Sequence, residues 1–178
     1  MALLSAESVQ RIERDCAKYP PEQRQSAVMS ALAIAQDQFH ILTNEVMEEV
    51  ATVLRMPPVW VYEVATFYNM YNLKPLGKYK VVVCTNLPCA LSGGVDAADH
   101  LMKRLGLTAF NQTSADGRVT LKEGECMGAC GDAPVMLVNN KRMCSFMSNE
   151  KLDALLDEMA SGTTSERTEA ARRPGADK

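Results

Sequence analysis

The chain has 178 residues, 47% of them hydrophobic, and a formal charge of -3, which is enough apolar material for one ordinary core or two small ones and too little positive charge for a nucleic-acid surface. No stretch reaches the roughly 20 apolar residues of a membrane helix, and Met1-Ala2-Leu3-Leu4-Ser5 runs at once into charged residues, so no signal or transit peptide is read and a cytoplasmic setting without membrane insertion is expected. Six cysteines without a secretory leader point to a reducing compartment, where thiols serve as ligands rather than as staples.

Ser5 is placed to cap a first helix, with Leu4 and Val9 as a hydrophobic staple and Val9, Ile12 and Cys16 on one face. Tyr19-Pro20-Pro21 ends it. Pro21 suits the first turn of a second helix, in which Val28, Ala31, Leu32, Ala35 and Phe39 keep the helical period. A third helix starts at Thr43 or Asn44, shows Val46, Met47, Val50 and Val53 to the core, and stops before Met56-Pro57-Pro58. Pro58 opens a fourth, with Val61, Val64, Ala65 and Tyr68 on one face and Trp60, Phe67 and Tyr71 beside it.

Leu73-Lys74-Pro75-Leu76-Gly77 breaks the helical period and marks a boundary, with a helical bundle over 1–75 and a second domain over 76–160. Lys78 to Val83 is a β-branched run, and Gly93-Gly94 leads into a helix through Leu105. Arg118 to Lys122 and Val135 to Val138 read as strands. Asn139-Asn140 turns the chain into a partner strand, Arg142 to Phe146, and Ser148 caps a last helix carrying Leu152, Leu155, Leu156 and Met159. The expected order is β-α-β-β-β-α. Residues 161–178 are rich in Ser, Thr, Ala and mixed charge, the composition of a disordered tail.

Two cysteine pairs follow strand-like runs: Cys84 and Cys89 with four residues between them, Cys126 and Cys130 with three. Zinc ribbons favour gaps of two, because one tight turn aims both sulfurs at a single tetrahedral ion. The wider loops favour a larger body held by four thiolates, an iron–sulfur cluster, while zinc holding an interaction module stays open on spacing alone. A thiol–disulfide catalyst would need two cysteines two residues apart at a helix start, a pattern the chain lacks. Cys16, Cys144, His40 and His100 read as structural, and the eleven methionines as packing filler.

Three separated motifs carry a family resemblance. Val83-Cys84-Thr85-Asn86-Leu87-Pro88-Cys89-Ala90-Leu91-Ser92-Gly93-Gly94, then Glu125-Cys126-Met127-Gly128-Ala129-Cys130-Gly131-Asp132-Ala133-Pro134, and the helix Val59 to Tyr68 together resemble the 24-kDa-type [2Fe–2S] component of NADH:quinone oxidoreductase, respiratory complex I. The likeness runs over about residues 5–160. It implies an α+β chain, an N-terminal helical bundle followed by a thioredoxin-like [2Fe–2S] ferredoxin domain, with Cys84, Cys89, Cys126 and Cys130 as ligands of one [2Fe–2S] cluster. It further implies Cys84 and Cys89 on one iron and Cys126 and Cys130 on the other. FMN and NADH then belong to a flavin-bearing partner subunit, and this chain holds no catalytic or substrate site of its own.

An all-cysteine ligand set favours a low potential, about −400 mV in plant-type ferredoxins. The amides of Gly128, Gly131 and the helix start after Gly93-Gly94 are expected to offset the charge of such a site. A cluster passes one electron where NADH gives a hydride, so a flavin must stand between them, and the glycines at 93 and 94 do not make a nucleotide fingerprint. Related subunits occur in NAD-dependent formate dehydrogenases and NAD-reducing hydrogenases, which sequence alone does not separate. The aromatic helix is bulkier than a small bundle needs, so rings such as Tyr62 or Phe67 are candidates to dock the flavin-bearing subunit.

Overall fold

The computed structural model describes residues 3–162; of the expected tail over 161–178, Ser161 instead closes the last helix with Gly162 as its cap, and the rest lies outside the described residues. The chain divides between Pro75 and Leu76 into two compact units.

The first unit is built from helices α1 (Ala6–Cys16), α2 (Val28–Phe39), α3 (Asn44–Leu54) and α4 (Pro58–Phe67). Ser5 Oγ accepts from the Ser8 amide at 3.1 Å and Thr43 Oγ1 from the Val46 amide at 3.4 Å, each cap satisfying a donor that the first turn leaves open and contributing about 1 kcal/mol. Ile12, Leu32, Val50 and Val61, one from each helix, are wholly buried in a shared core, at roughly 1.5–3 kcal/mol apiece.

Pro21 does not open an α-helix. It opens a 3₁₀ segment, Pro21–Ala27, that leaves helical geometry at Gln23. Ala27 is the sole buried side chain of that segment, so no apolar stripe holds it to helical pitch. Arg24 anchors it instead, donating from Nε and Nη2 to the Val53 carbonyl at 3.1 and 3.0 Å and pairing with Glu13. Tyr68 and Tyr71 also differ from expectation. Tyr68 sits past the end of α4 in extended geometry, and Tyr71 joins the core, its hydroxyl donating to the Met29 carbonyl at 2.9 Å.

The second unit is a five-stranded sheet in the order β2-β3-β1-β4-β5. Its strands are β1 (Tyr79–Cys84), β2 (Gln112–Thr113), β3 (Val119–Gly124), β4 (Met136–Val138) and β5 (Arg142–Cys144). Strands β1 and β3 run parallel, from Tyr79 opposite Val119 to Cys84 opposite Gly124, and the other pairings are antiparallel. The parallel pair needs a crossover, which α5 (Leu87–Ala90) and α6 (Gly94–Leu105) provide. The final helix, α7 (Asn149–Ser161), is capped by Ser148 at its start and by left-handed Gly162 at its end.

Alternation along β1 sorts its side chains between two faces. Tyr79, Val81 and Val83 enter a core with Ala97, Leu101, Leu152 and Met159. Cys84, one residue out of phase, joins a separate small cluster with Cys89 and Val135. The turn at Asn139-Asn140 places both residues at positive φ, 51° and 59°, the geometry that a two-residue hairpin of this kind demands and asparagine tolerates.

Candidate metal centre

Both cysteine pairs lie at the same end of the sheet because β1 and β3 are parallel neighbours. Cys84 is the last residue of β1, and Cys126 follows the last residue of β3, Gly124, by two positions. Past Cys84 the chain turns into α5, which carries Cys89 in its single turn. Past Cys126 an open loop turns at Gly128, with φ of 68°, and enters the 3₁₀ segment Cys130–Asp132. The Ala133–Pro134 peptide that follows is cis.

The sulfurs differ in exposure. Cys84 and Cys89 are buried, whereas Cys126 and Cys130 are exposed. Val135, Met127, Ala129, Ala133 and Met143 pack around the buried pair. Burial pushes the Cys89 thiol up to about 11, reinforced by its hydrogen bond with Cys84 and by the nearby sulfurs of Cys84, Cys130 and Cys126. Left alone the Cys89 thiol resists becoming a thiolate, and a cationic metal core would reverse this by displacing its proton.

Among the described residues no three cysteine, histidine or acidic side chains close on the position of a single metal ion. Four sulfurs in two pairs would suit a binuclear iron–sulfur body, for which they could supply soft thiolate ligands without histidine or carboxylate.

Backbone packing fixes the first loop. A Cβ added at Gly94 would come within 2.7 Å of the Cys84 carbonyl oxygen and 2.8 Å of that of Cys89, so the start of α6 rests directly on both cysteine residues. The amide of Gly128 donates to Cys126 Sγ at 3.3 Å, as its position in the glycine-rich loop suggests. The Gly93 amide donates to the Ala90 carbonyl. Sequence reasoning also passed over a link between the loops: Thr85 Oγ1 donates to Glu123 Oε1 at 2.6 Å, and the Thr85 amide to the Gly124 carbonyl at 3.3 Å.

The aromatic residues of the first unit divide. Tyr62 is half-buried, its hydroxyl directed to Glu48 Oε1 at 3.0 Å, while Trp60 and Phe67 are 48% and 79% exposed. Cys16 and Cys144 are buried in the two cores, and His100 pairs with Asp153 at 2.8 Å, all structural placements.

Residues 12–160 match the thioredoxin-like [2Fe–2S] ferredoxin family. The chain belongs to that family. Among its relatives, a protein of Rickettsia felis named as the E component of NADH-quinone oxidoreductase is 43% identical over 142 residues, covering 79% of this chain and 84% of the relative. A protein of Rhizobium meliloti, named as the second form of that same component, is 40% identical over 165 residues, covering 91% and 96%. Among solved structures, an NAD⁺-reducing [NiFe]-hydrogenase in the air-oxidised state shares the fold with a TM-score of 0.63 at 22% identity, over 75% of this chain and 23% of the other. Membership fits the site: the family's [2Fe–2S] group and the thiols of two cysteine loops at one sheet end are chemically matched. No helix among the described residues is long and apolar enough to cross a membrane.

Proposed function

We propose that this chain is the [2Fe–2S] electron-transfer subunit of an NADH:quinone oxidoreductase, with Cys84, Cys89, Cys126 and Cys130 holding the cluster. The observation that supports the reading is the placement of both cysteine loops at one end of the parallel β1–β3 pair, with Cys84 Sγ 3.8 Å from the Glu125 carbonyl beside Cys126. When bound, a [2Fe–2S] group supplies one-electron exchange, which neither cysteine nor any other side chain here provides.

The chain's own residues do the rest. Cys84 and Cys89, sealed under Val135 and Met127, keep water from the inner side. Cys126 and Cys130, exposed, form the edge that a redox partner approaches. Gly128 donates its amide to Cys126 and so stabilises negative charge on that sulfur.

The partner in this reading is a subunit carrying FMN and the NADH site, and the location is the peripheral arm on the cytoplasmic side of a bacterial plasma membrane. Trp60 and Phe67, the most exposed of the exposed aromatic side chains among the described residues, are available for docking it. The relatives at about 40% identity over most of the chain favour the quinone-linked enzyme over the formate- or hydrogen-linked complexes. Co-purification with quinone-reductase subunits, rather than with a molybdenum or nickel subunit, separates them.

The test is anaerobic reconstitution of the full chain with iron and sulfide, followed by visible absorption and low-temperature EPR of the reduced protein. The expected product is brown, holds iron and sulfide in equal amounts, and loses cluster on substitution of Cys84, Cys89, Cys126 or Cys130 by alanine. A colourless chain that binds one zinc instead would overturn the assignment.

A further inference from the structure

The parallel ladder between β1 and β3 ends at Cys84 opposite Gly124, just where the two cysteine loops depart in different directions. Beyond this pair the first loop coils into α5 and the second runs on to Cys126. The backbone has one more bond to offer, from the Thr85 amide to the Gly124 carbonyl, and it is long at 3.3 Å. The ladder would fray here if nothing else held it, and fraying would let the cysteine pairs separate.

The Thr85–Glu123 bond closes that end. At 2.6 Å it has the length of a charge-assisted O–H···O⁻ bond, roughly twice as strong as a neutral one. Its two residues lie within three positions of a proposed ligand. Thr85 follows Cys84 directly, and Glu123 precedes Gly124, whose own Cβ position is crowded by Met127 and Val82. Cys84 Sγ also lies 3.8 Å from the Glu125 carbonyl, so the first ligand already touches the backbone of the second loop.

We propose that Thr85 and Glu123 are positioning residues, a side-chain clamp that fixes the distance between the Cys84/Cys89 pair and the Cys126/Cys130 pair. This rests on the cluster assignment above. Neither residue touches the metal. Their effect is to hold two sulfur pairs, contributed by loops about 40 residues apart in sequence, at the separation that a rigid binuclear body requires.

The test uses the reconstituted full chain and follows the loss of visible absorption on challenge with an iron chelator. Because Glu123 is exposed, the effect is moderate. Thr85→Val and Glu123→Ala are each expected to lose cluster about threefold to tenfold faster than the parent. Thr85→Ser, which restores the hydroxyl, returns to within about twofold of the parent, and Glu123→Gln, which keeps an acceptor oxygen, falls between. The double variant Thr85→Val/Glu123→Ala decays no faster than the worse single variant, since both remove one interaction. EPR of the reduced variants reports the site directly, with broadened features in Thr85→Val that Thr85→Ser reverses.

Additive losses in the double variant, or a Thr85→Val protein matching the parent in decay and EPR, would overturn the clamp while leaving the cluster assignment intact. A parent chain that takes up no cluster would overturn both. Far-UV circular dichroism of the variants without metal separates a loosened site from a chain that fails to fold.

Discussion

Tyr71 shows how one side chain ties the helical unit's exit segment to its core. The residue is 3% exposed and gives its hydroxyl proton to the Met29 carbonyl at 2.9 Å. Burial pushes its phenol up to about 12, because a phenolate there would lose solvation and would lie near the Tyr68 phenol. Tyr71→Phe is expected to cost about 1 kcal/mol at pH 8, the worth of one such hydrogen bond. The sign of its pH dependence follows from the raised value. The unfolded phenol gives up its proton near pH 10 and the folded one near 12, so the stability contributed by Tyr71 is complete below pH 10 and is lost as pH rises through 12. The lead of the parent over Tyr71→Phe, measured from urea midpoints, should therefore shrink by about 1 kcal/mol between pH 8 and pH 11. A lead that stays constant over that range would show the phenol to be in ordinary contact with water.

At the scale of elements, the start of α6 governs the first cysteine loop. A Cβ at Gly94 would meet the carbonyl oxygens of Cys84 and Cys89 at 2.7 and 2.8 Å, and backbone oxygens cannot swing aside as a flexible side chain does. Gly94→Ala must push α6 away from the loop or displace both cysteines. The expected result is a loss of about 1–3 kcal/mol in stability with faster loss of cluster to a chelator. An alanine variant that melted with the parent and held its cluster equally well would show that the helix shifts freely. In the sequence this glycine reads only as a helix start, since the carbonyls it meets come from two places in the chain.

The same contrast runs through the other elements. Ser5 and Ser148 are legible as caps because capping is local chemistry, and each accepts an amide of its helix's first turn. The 3₁₀ segment Pro21–Ala27 is not, because Pro at a first turn suits both helix types and what decides between them is Arg24 reaching Val53, 29 residues away. Helix α5 has four residues and strand β2 two, too few for any period to show. The pairing of the cysteine loops is readable from spacing and strand ends. The Thr85–Glu123 bond spans 38 residues with no repeating pattern to announce it.

For the whole molecule, the division at Pro75 and Leu76 separates two cores that share no residue. One is closed by Ile12, Leu32, Val50, Val61 and Tyr71, the other by Val81, Leu101, Leu121, Met136 and Leu152. Each unit has its own capped helices, and each falls in the size range of an independent domain. All four cysteines of the candidate centre, and both residues of the clamp, belong to the second. A fragment beginning at Leu76 is therefore expected to fold, to take up the cluster and to give the EPR signal of the full chain, while a fragment ending at Pro75 gives a helical circular-dichroism spectrum and no colour. Each should unfold in a single cooperative transition. A second fragment that stayed unfolded, or that bound iron without the parent's signal, would mean that residues before Leu76 complete the site. The outcome bears directly on what the helical unit is for, because a unit that is dispensable to the cluster is free to serve recognition, and its exposed Trp60 and Phe67 are then explained by a partner rather than by the fold.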